Sequence, residues 1–157
     1  MKYRRIIVNR KRQLELVEED LPNPRPGEVR VKVLAAGVSY PDVMMRQGIH
    51  PEARRLPFTP GWDVVGTVDV LGEGVEAVPL GATVGAMPIV GGYAEYLCLP
   101  ATELVRVPPQ VDPAEAVCLI LNYVTAYQML HRSAQARPGE TALIIAPLGA
   151  SARPCSS

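Results

Sequence analysis

Prolines and glycines divide this chain into short segments, and that division limits its possible folds more than any other feature. There are 16 prolines and 13 glycines among 157 residues. Proline lacks the backbone N–H that a helix interior or a central strand requires, and glycine weakens both elements. The chain is therefore predicted to form many turns and short strands and not a helix bundle.

Several segments between these turns show the two-residue alternation of a half-buried strand. The strongest is the segment 28–36, where three valines alternate with Arg30 and Lys32. The stretch 56–75 joins a Pro-Gly turn to a β-rich run, and it places Trp62 and Asp63 where the turn becomes a strand. The predicted strands are residues 3–8, 13–17, 28–36, 63–70, 83–87, 91–99 and 104–107.

Capping signals predict the helices. Ser39 as N-cap, Pro41 in the first turn and Gly48 as the stop define one short helix. Asp112 begins a second, buried helix, and Asn122 is expected to cap a further helix that ends at about residue 133. Residues 134–139 then form a polar link, 141–146 a buried strand, and 147–157 an unstructured tail.

Composition and charge exclude several classes of protein. Lys and Arg number 16 and balance 16 Asp and Glu, so the chain has neither a nucleic-acid footprint nor a membrane-surface patch. No apolar run is long enough for a signal peptide or a membrane span. The three cysteines lack CxxC spacing, which favours reduced thiols, no structural zinc and a cytoplasmic location.

Four short motifs in order resemble the medium-chain dehydrogenase/reductase superfamily. They occupy residues 33–42, 60–68, 91–96 and 122–127, and the last is similar to the quinone oxidoreductase-like branch. The resemblance runs from about Tyr3 to Ile145. It implies a mainly β (α+β) fold, in which residues 1–133 form a GroES-like, partly open β-barrel with short helices. Residues 134–157 would then hold the linker, the first strand of a Rossmann domain and a disordered tail.

The resemblance also bears on metal binding. Zinc-dependent members of the superfamily hold catalytic zinc at three positions that correspond to Ser39, Trp62 and Leu121, and none of these is a zinc ligand. The histidines, His50 and His131, lack a partner at metal spacing and are interpreted as surface residues. No metal site is expected.

Without zinc, the resemblance implies NADPH-dependent reduction of a small quinone or enone, with the cofactor delivering hydride. NADH stays open as the alternative cofactor. The implied catalytic residues are Ser39, Tyr40 and Asp42, the substrate-binding residues are Trp62, Asp63 and Asn122, and the residue beside the nicotinamide is Thr125. Full-length relatives are expected to form homo-oligomers.

Each of these residues also has a purely structural interpretation. Ser39 and Asn122 could serve only as helix caps, Trp62 could cover the barrel mouth, and Asp63 could pair with an arginine or cap a turn. Similar reasoning makes Tyr93 and Tyr96 packing residues and makes Cys98 and Cys118 buried, inert thiols.

The end of the chain departs from the family pattern. A dinucleotide turn in register would span residues 149–152, but Ala150 and Ala152 stand where glycine is needed. The chain then ends at Ser157, so a cofactor domain of roughly 150 residues is expected to be missing and this chain to be inactive alone. The alternatives are a non-catalytic GroES-like binding module and an inert fragment of an interrupted gene.

Overall fold

The computed structural model describes residues 1–143. Within them, the strands are β1 (Lys2–Val8), β2 (Leu14–Asp20), β3 (Glu28–Ala36), β4 (Val64–Leu71), β5 (Thr83–Ala86), β6 (Tyr96–Pro100) and β7 (Val105–Arg106). The helical elements are α1 (Tyr40–Gln47), a 3-10 turn (Ala101–Glu103), α2 (Pro113–Cys118), a π-helical segment (Leu119–Tyr123), α3 (Val124–Gln128) and a second π-helical segment (Met129–Ser133).

The strands of this described part form two antiparallel sheets. β1 and β2 make a hairpin, and the larger sheet has the order β6-β3-β4-β5-β7. β3 is an interior strand of this sheet, with Val31 opposite Val68 of β4 on one side and Leu97 of β6 on the other. The predicted mainly β fold is confirmed, as open sheets and not as a closed barrel.

The main core packs on the five-stranded sheet. It contains nine buried side chains, six of them valines: Val29, Val31, Val64, Val68, Val78 and Val84. β-branched side chains suit a pleated surface, and each buried valine contributes about 1.5–3 kcal/mol by removal from water. The loops at the ends of the sheet are therefore held by a rigid scaffold.

Two smaller clusters attach the helices to this scaffold. Val8, Met45 and Phe58 pack together and fix α1 beside the end of β1. Ala116 and Val117 of α2 pack on Val65 of β4. Both helices therefore have defined positions relative to the sheet.

The segment 91–95 does not belong to the predicted strand 91–99, which begins only at Tyr96. Its amides bond elsewhere: Gly91 N donates to Thr59 O at 2.8 Å, and Glu95 N donates to Arg4 O at 3.0 Å. The alternation of aromatic and aliphatic residues continues through 91–99, so it does not show that residues 91–95 and β6 bond to different parts of the chain.

The predicted break at Asn122 is wrong. Helical turns follow one another from Pro113 to Ser133, and Asn122 lies inside the first π-helical segment. The predicted burial of the first helix holds for Ala116 and Val117 but not for the end of its apolar run, because Leu119 is 51% exposed. Cys118 is exposed as well, although its apolar neighbours predicted a buried thiol.

The predicted strand 141–146 is only partly described. Thr141 to Leu143 have no regular structure and are exposed. The rest of that strand, the turn at 149–152 and the tail at 147–157 lie outside the described residues. Across residues 1–143, no helix combines the length and the apolar character needed to cross a membrane.

Candidate functional site

The corner between β3 and α1 carries the three predicted catalytic residues. Ser39 is the N-cap of α1, with Pro41 in the first turn where the missing N–H costs nothing. The Asp42 carboxylate accepts hydrogen bonds from Ser39 N at 3.0 Å and from Ser39 Oγ at 2.8 Å. An ionised carboxylate can only accept, so the Ser39 hydroxyl must donate to it. That proton is not available to a substrate carbonyl.

The Pro-Gly turn before β4 is bound to this corner. Gly61 N donates to Asp42 Oδ1 at 2.9 Å, across 19 residues of sequence. On the other side, Gly92 N and Tyr93 N donate to Gly61 O and Pro60 O at 3.2 and 2.9 Å. Gly61 has a φ of +108°, and a Cβ there would lie 2.6 Å from Gly92 Cα. Only glycine fits this position.

Asp63 lies directly under the corner and is 1% exposed. Gly37 N donates to Asp63 O at 3.1 Å, and a Cβ at Gly37 would lie 2.2 Å from Asp63 Oδ1. The Oδ1 atom is buried without a hydrogen-bond partner, and no arginine pairs with Asp63 among residues 1–143. Burial, and then the charge of nearby Asp42, raise the pKa of Asp63 from 3.8 to about 6. Of the structural alternatives for Asp63, the pair with an arginine is therefore contradicted within the described residues.

Trp62 stands between Gly61 and Asp63, and hydrogen bonds hold both of these neighbours, so the backbone position of Trp62 is fixed. Ile89 N donates to Trp62 O at 3.3 Å. The indole is half-buried, its Nε1 has no partner within the described chain, and the His50 ring packs against it edge-on with centroids 5.2 Å apart. His50 Nδ1 accepts from Glu52 N at 3.0 Å, so the neutral ring carries its proton on Nε2. His50 is thus a part-buried neighbour of the site and not a free surface residue.

Tyr93 and Tyr40 differ sharply in exposure. The Tyr93 hydroxyl is buried and meets no partner at hydrogen-bonding geometry among residues 1–143. Burial, and then the Asp42 carboxylate, raise the pKa of that phenol well above its usual value. The Tyr40 side chain is 71% exposed beside the corner. Tyr40 therefore offers the freely accessible phenol donor at this corner.

Asn122 and Thr125 lie on a separate element, the helical run after α2. Asn122 is half-buried and Thr125 is exposed. No hydrogen bond in the described part of the chain joins either side chain to the corner or to the Pro-Gly turn. The structure thus unites Ser39, Asp42, Trp62 and Asp63 into one site and leaves the helical pair apart.

The donors present do not fit a catalytic metal. Hydroxyl, indole and aliphatic groups occupy the three family positions, and no cluster of three His, Cys, Asp or Glu in residues 1–143 could hold an ion. For a dinucleotide, the described residues offer the exposed Thr125 hydroxyl, a group that can hydrogen-bond an amide. The stretch 149–152 lies outside them.

Sequence reasoning missed three contributors to the site: Gly37, His50 and Tyr93. Gly37 has the sequence signature of a strand breaker only, although it stands two residues before Ser39 in the same motif. Tyr93 follows a Gly-Gly pair, which is a signal for close backbone approach. His50 carried no signal, because its contact with Trp62 depends on the loop after α1.

Comparison with known proteins gives consistent matches. The family model described as "Alcohol dehydrogenase GroES-like domain" matches residues 25–109. The "Quinone oxidoreductase-like protein 2" of Bos taurus is 38% identical over 136 residues, which are 86% of this chain and 39% of the relative.

Two solved structures show the same fold. The human synaptic vesicle membrane protein VAT-1 homolog-like protein has a TM-score of 0.90 at 30% identity, over 97% of this chain and 50% of that one. The quinone oxidoreductase of Thermus thermophilus, solved alone and with NADPH, has a TM-score of 0.81 at 35% identity, over 95% and 46%. This chain therefore spans about two fifths of that bovine relative and about half of these solved chains.

Proposed function

The chain belongs to the alcohol dehydrogenase GroES-like family, in the quinone oxidoreductase-like branch of the medium-chain dehydrogenase/reductases, and from that premise we propose its role. It is the substrate-side part of a zinc-independent, NADPH-dependent oxidoreductase that reduces quinones or enones. The observation that carries the proposal is the union of the corner and the Pro-Gly turn through Asp42. That union fixes the backbone on either side of Tyr40 and just before Trp62, and in this proposal the two side chains form one wall of the substrate cleft.

Each residue of this wall has a separate task. Tyr40 donates its phenol hydrogen to the substrate carbonyl, because it is the exposed donor beside the corner. Trp62 provides a flat apolar surface for a conjugated ring, steadied by His50. Ser39 and Asp42 fix the wall and do not touch the substrate, since their polar atoms bond each other and Gly61.

NADPH, when bound, supplies the hydride that reduces the conjugated carbonyl system. Thr125 would contact its nicotinamide end, and Asn122 on the same helical run would face the substrate. A cytoplasmic location, and homo-oligomerisation of full-length relatives, remain predictions.

Fusing this chain to the Rossmann half of a related reductase tests the proposal. The fusion should oxidise NADPH in the presence of a naphthoquinone, and Tyr40→Phe should lower kcat/KM by about tenfold or more, the loss of one hydrogen bond in the transition state. Val38→Ala serves as a matched control, because Val38 is 80% exposed on the same corner but carries no donor.

Three results would contradict the proposal: a correctly folded fusion without quinone-dependent turnover, Tyr40→Phe at full rate, or a Val38→Ala fusion impaired as much as Tyr40→Phe. A partner protein captured by the isolated chain, together with an inactive fusion, would support the binding-module alternative instead.

A further inference from the structure

Two carboxyl groups are buried beside each other under the corner. Asp42 and Asp63 are 6% and 1% exposed, and neither belongs to an ion pair within residues 1–143. The titratable groups facing Asp63 are Asp42 on α1 and Tyr93 before β6, while His50 packs against the indole of the adjacent Trp62. Ionising two buried carboxylates without a cation is strongly unfavourable. One of them is therefore expected to keep its proton to a higher pH than a free carboxyl group does.

The hydrogen bonds show which carboxyl holds the proton. Asp42 accepts three, from Ser39 N, Ser39 Oγ and Gly61 N, so both of its carboxyl oxygens have donors. Asp63 Oδ1 accepts none within the described chain, and the neighbouring Tyr93 hydroxyl is also without a partner there. The proton therefore belongs to Asp63, in agreement with the raised pKa of about 6 for that group.

The Asp63 carboxyl group is also in contact with the corner. The backbone oxygen of Asp63 accepts a hydrogen bond from Gly37 N. Its side-chain Oδ1 fills the space beside Gly37, since a Cβ on Gly37 would lie 2.2 Å from that oxygen. A neutral carboxyl group tolerates this dry contact. An ionised one needs donors for Oδ1, and water can reach that atom only if the corner moves.

We propose that Asp63 is a positioning residue whose neutral carboxyl group keeps the Gly37–Tyr40 corner closed, and that loss of its proton opens the corner. The proton passes to solvent water, and no bond other than that O–H breaks. The catalytic meaning rests on the proposed function, because Tyr40 stands on this corner. The conformational inference does not depend on it.

The direction of the pH dependence follows from linkage. The closed corner binds the Asp63 proton more tightly than an open, hydrated corner does, since burial raises the pKa from 3.8 to about 6. The closed corner is therefore most stable at low pH, and its stability relative to the open corner falls as pH rises from 3.8 to about 6. Because the pKa is raised from 3.8 to about 6, the equilibrium constant for opening of the corner can rise by up to about a hundredfold between those two pH values.

The experiment uses the chain alone, without quinone or NADPH, so its outcome is independent of whether the proposed reaction occurs. Hydrogen exchange of residues 37–40, corrected for the intrinsic pH dependence, is measured from acid to mildly alkaline pH. Trp62 is the only tryptophan, so its fluorescence reports on the residue next to Asp63. Both signals should change with a midpoint near 6 in the wild-type chain.

Variants identify the titrating group. Asp63→Asn should show no midpoint near pH 6, and its hydrogen exchange at the corner should stay low throughout. His50→Gln should show the same midpoint as the wild-type chain. A midpoint that survives Asp63→Asn, or disappears with His50→Gln, overturns the proposal. If Asp63→Asn does not fold, the carboxyl carbon of Asp63 is followed by NMR in the wild-type chain. A midpoint near 6 then supports the proposal, and one at the ordinary value of about 3.9 overturns it.

Discussion

At the residue scale, the space around individual glycines decides how closely the Pro-Gly turn and the backbone of residues 92–93 approach each other. Gly61 combines a φ of +108° with backbone atoms only 2.6 Å from where a Cβ would stand. Gly74 also has a positive φ, of +78°, but nothing lies within 4 Å of its Cβ position. Comparing Gly61 with Gly74 therefore distinguishes the cost of a positive φ from the cost of steric overlap with neighbouring atoms.

Gly61→Ala should therefore destabilise the domain much more than Gly74→Ala. The left-handed conformation alone costs about 1–3 kcal/mol at either position, and overlap with the 92–93 backbone adds about 1–3 kcal/mol at Gly61 alone. Urea unfolding of both variants and of the wild type measures the difference. Equal losses at the two positions would show that the 92–93 backbone can move away without loss of stability.

The sequence predicted some of these residues from local rules and missed others that depend on distant contacts. Ser39 was correctly identified as a helix cap, because capping needs only neighbouring residues. The isolation of Asp63 was not predictable, since the sequence contains many arginines and does not show which of them reach it. Its environment is made by Gly37 and Asp42, more than 20 residues away in the chain.

At the element scale, one carboxylate joins α1 to the turn before β4. Asp42 satisfies Ser39 N at the helix start and Gly61 N in the turn, and the latter bond is buried. Asp112 caps only its own helix, α2, where it accepts hydrogen bonds from Ala114 N and Glu115 N on an exposed surface. The two caps therefore differ in what their removal leaves unsatisfied.

Asp42→Ala is expected to cost about 2–4 kcal/mol, because it orphans a buried amide as well as a helix terminus. Asp112→Ala should cost about 1 kcal/mol, since water can replace an exposed cap. Asp42→Asn keeps an acceptor oxygen and should fall between them. Thermal and urea unfolding of the three variants gives the order, and a loss at Asp42 no greater than at Asp112 would mean that the turn is held by other contacts.

Element boundaries were predictable where one local pattern acted alone. β3 and the α1 caps agree with the sequence because alternation and capping coincide there. The prediction for residues 91–95 was wrong, because the amides of Gly91 and Glu95 bond to Thr59 and to Arg4 of β1, and not to β3, the partner of β6. The prediction for the helical run gave it too much burial, because apolar composition does not show whether a partner surface is present.

At the scale of the whole molecule, the scaffold and the site are supported by different parts of the chain. The valine core belongs to β3, β4 and β5 with the loop at Val78, and it does not include Trp62 or Asp42. The site is attached to the ends of that sheet through backbone hydrogen bonds. Relatives can therefore exchange the residues at the three family metal positions without rebuilding the core.

Zinc content tests this separation in the intact chain. Ser39 donates its hydroxyl to Asp42, the Trp62 indole has no lone pair to offer, and Leu121 is aliphatic, so no tetrahedral site can assemble from these three residues. Elemental analysis of the chain purified from zinc-supplemented cells and dialysed against a weak chelator should find far less than one zinc per molecule. The same preparation with zinc added back and dialysed again controls for metal lost during purification. Zinc retained near one equivalent in either sample would contradict the proposed zinc independence and require ligands outside residues 1–143.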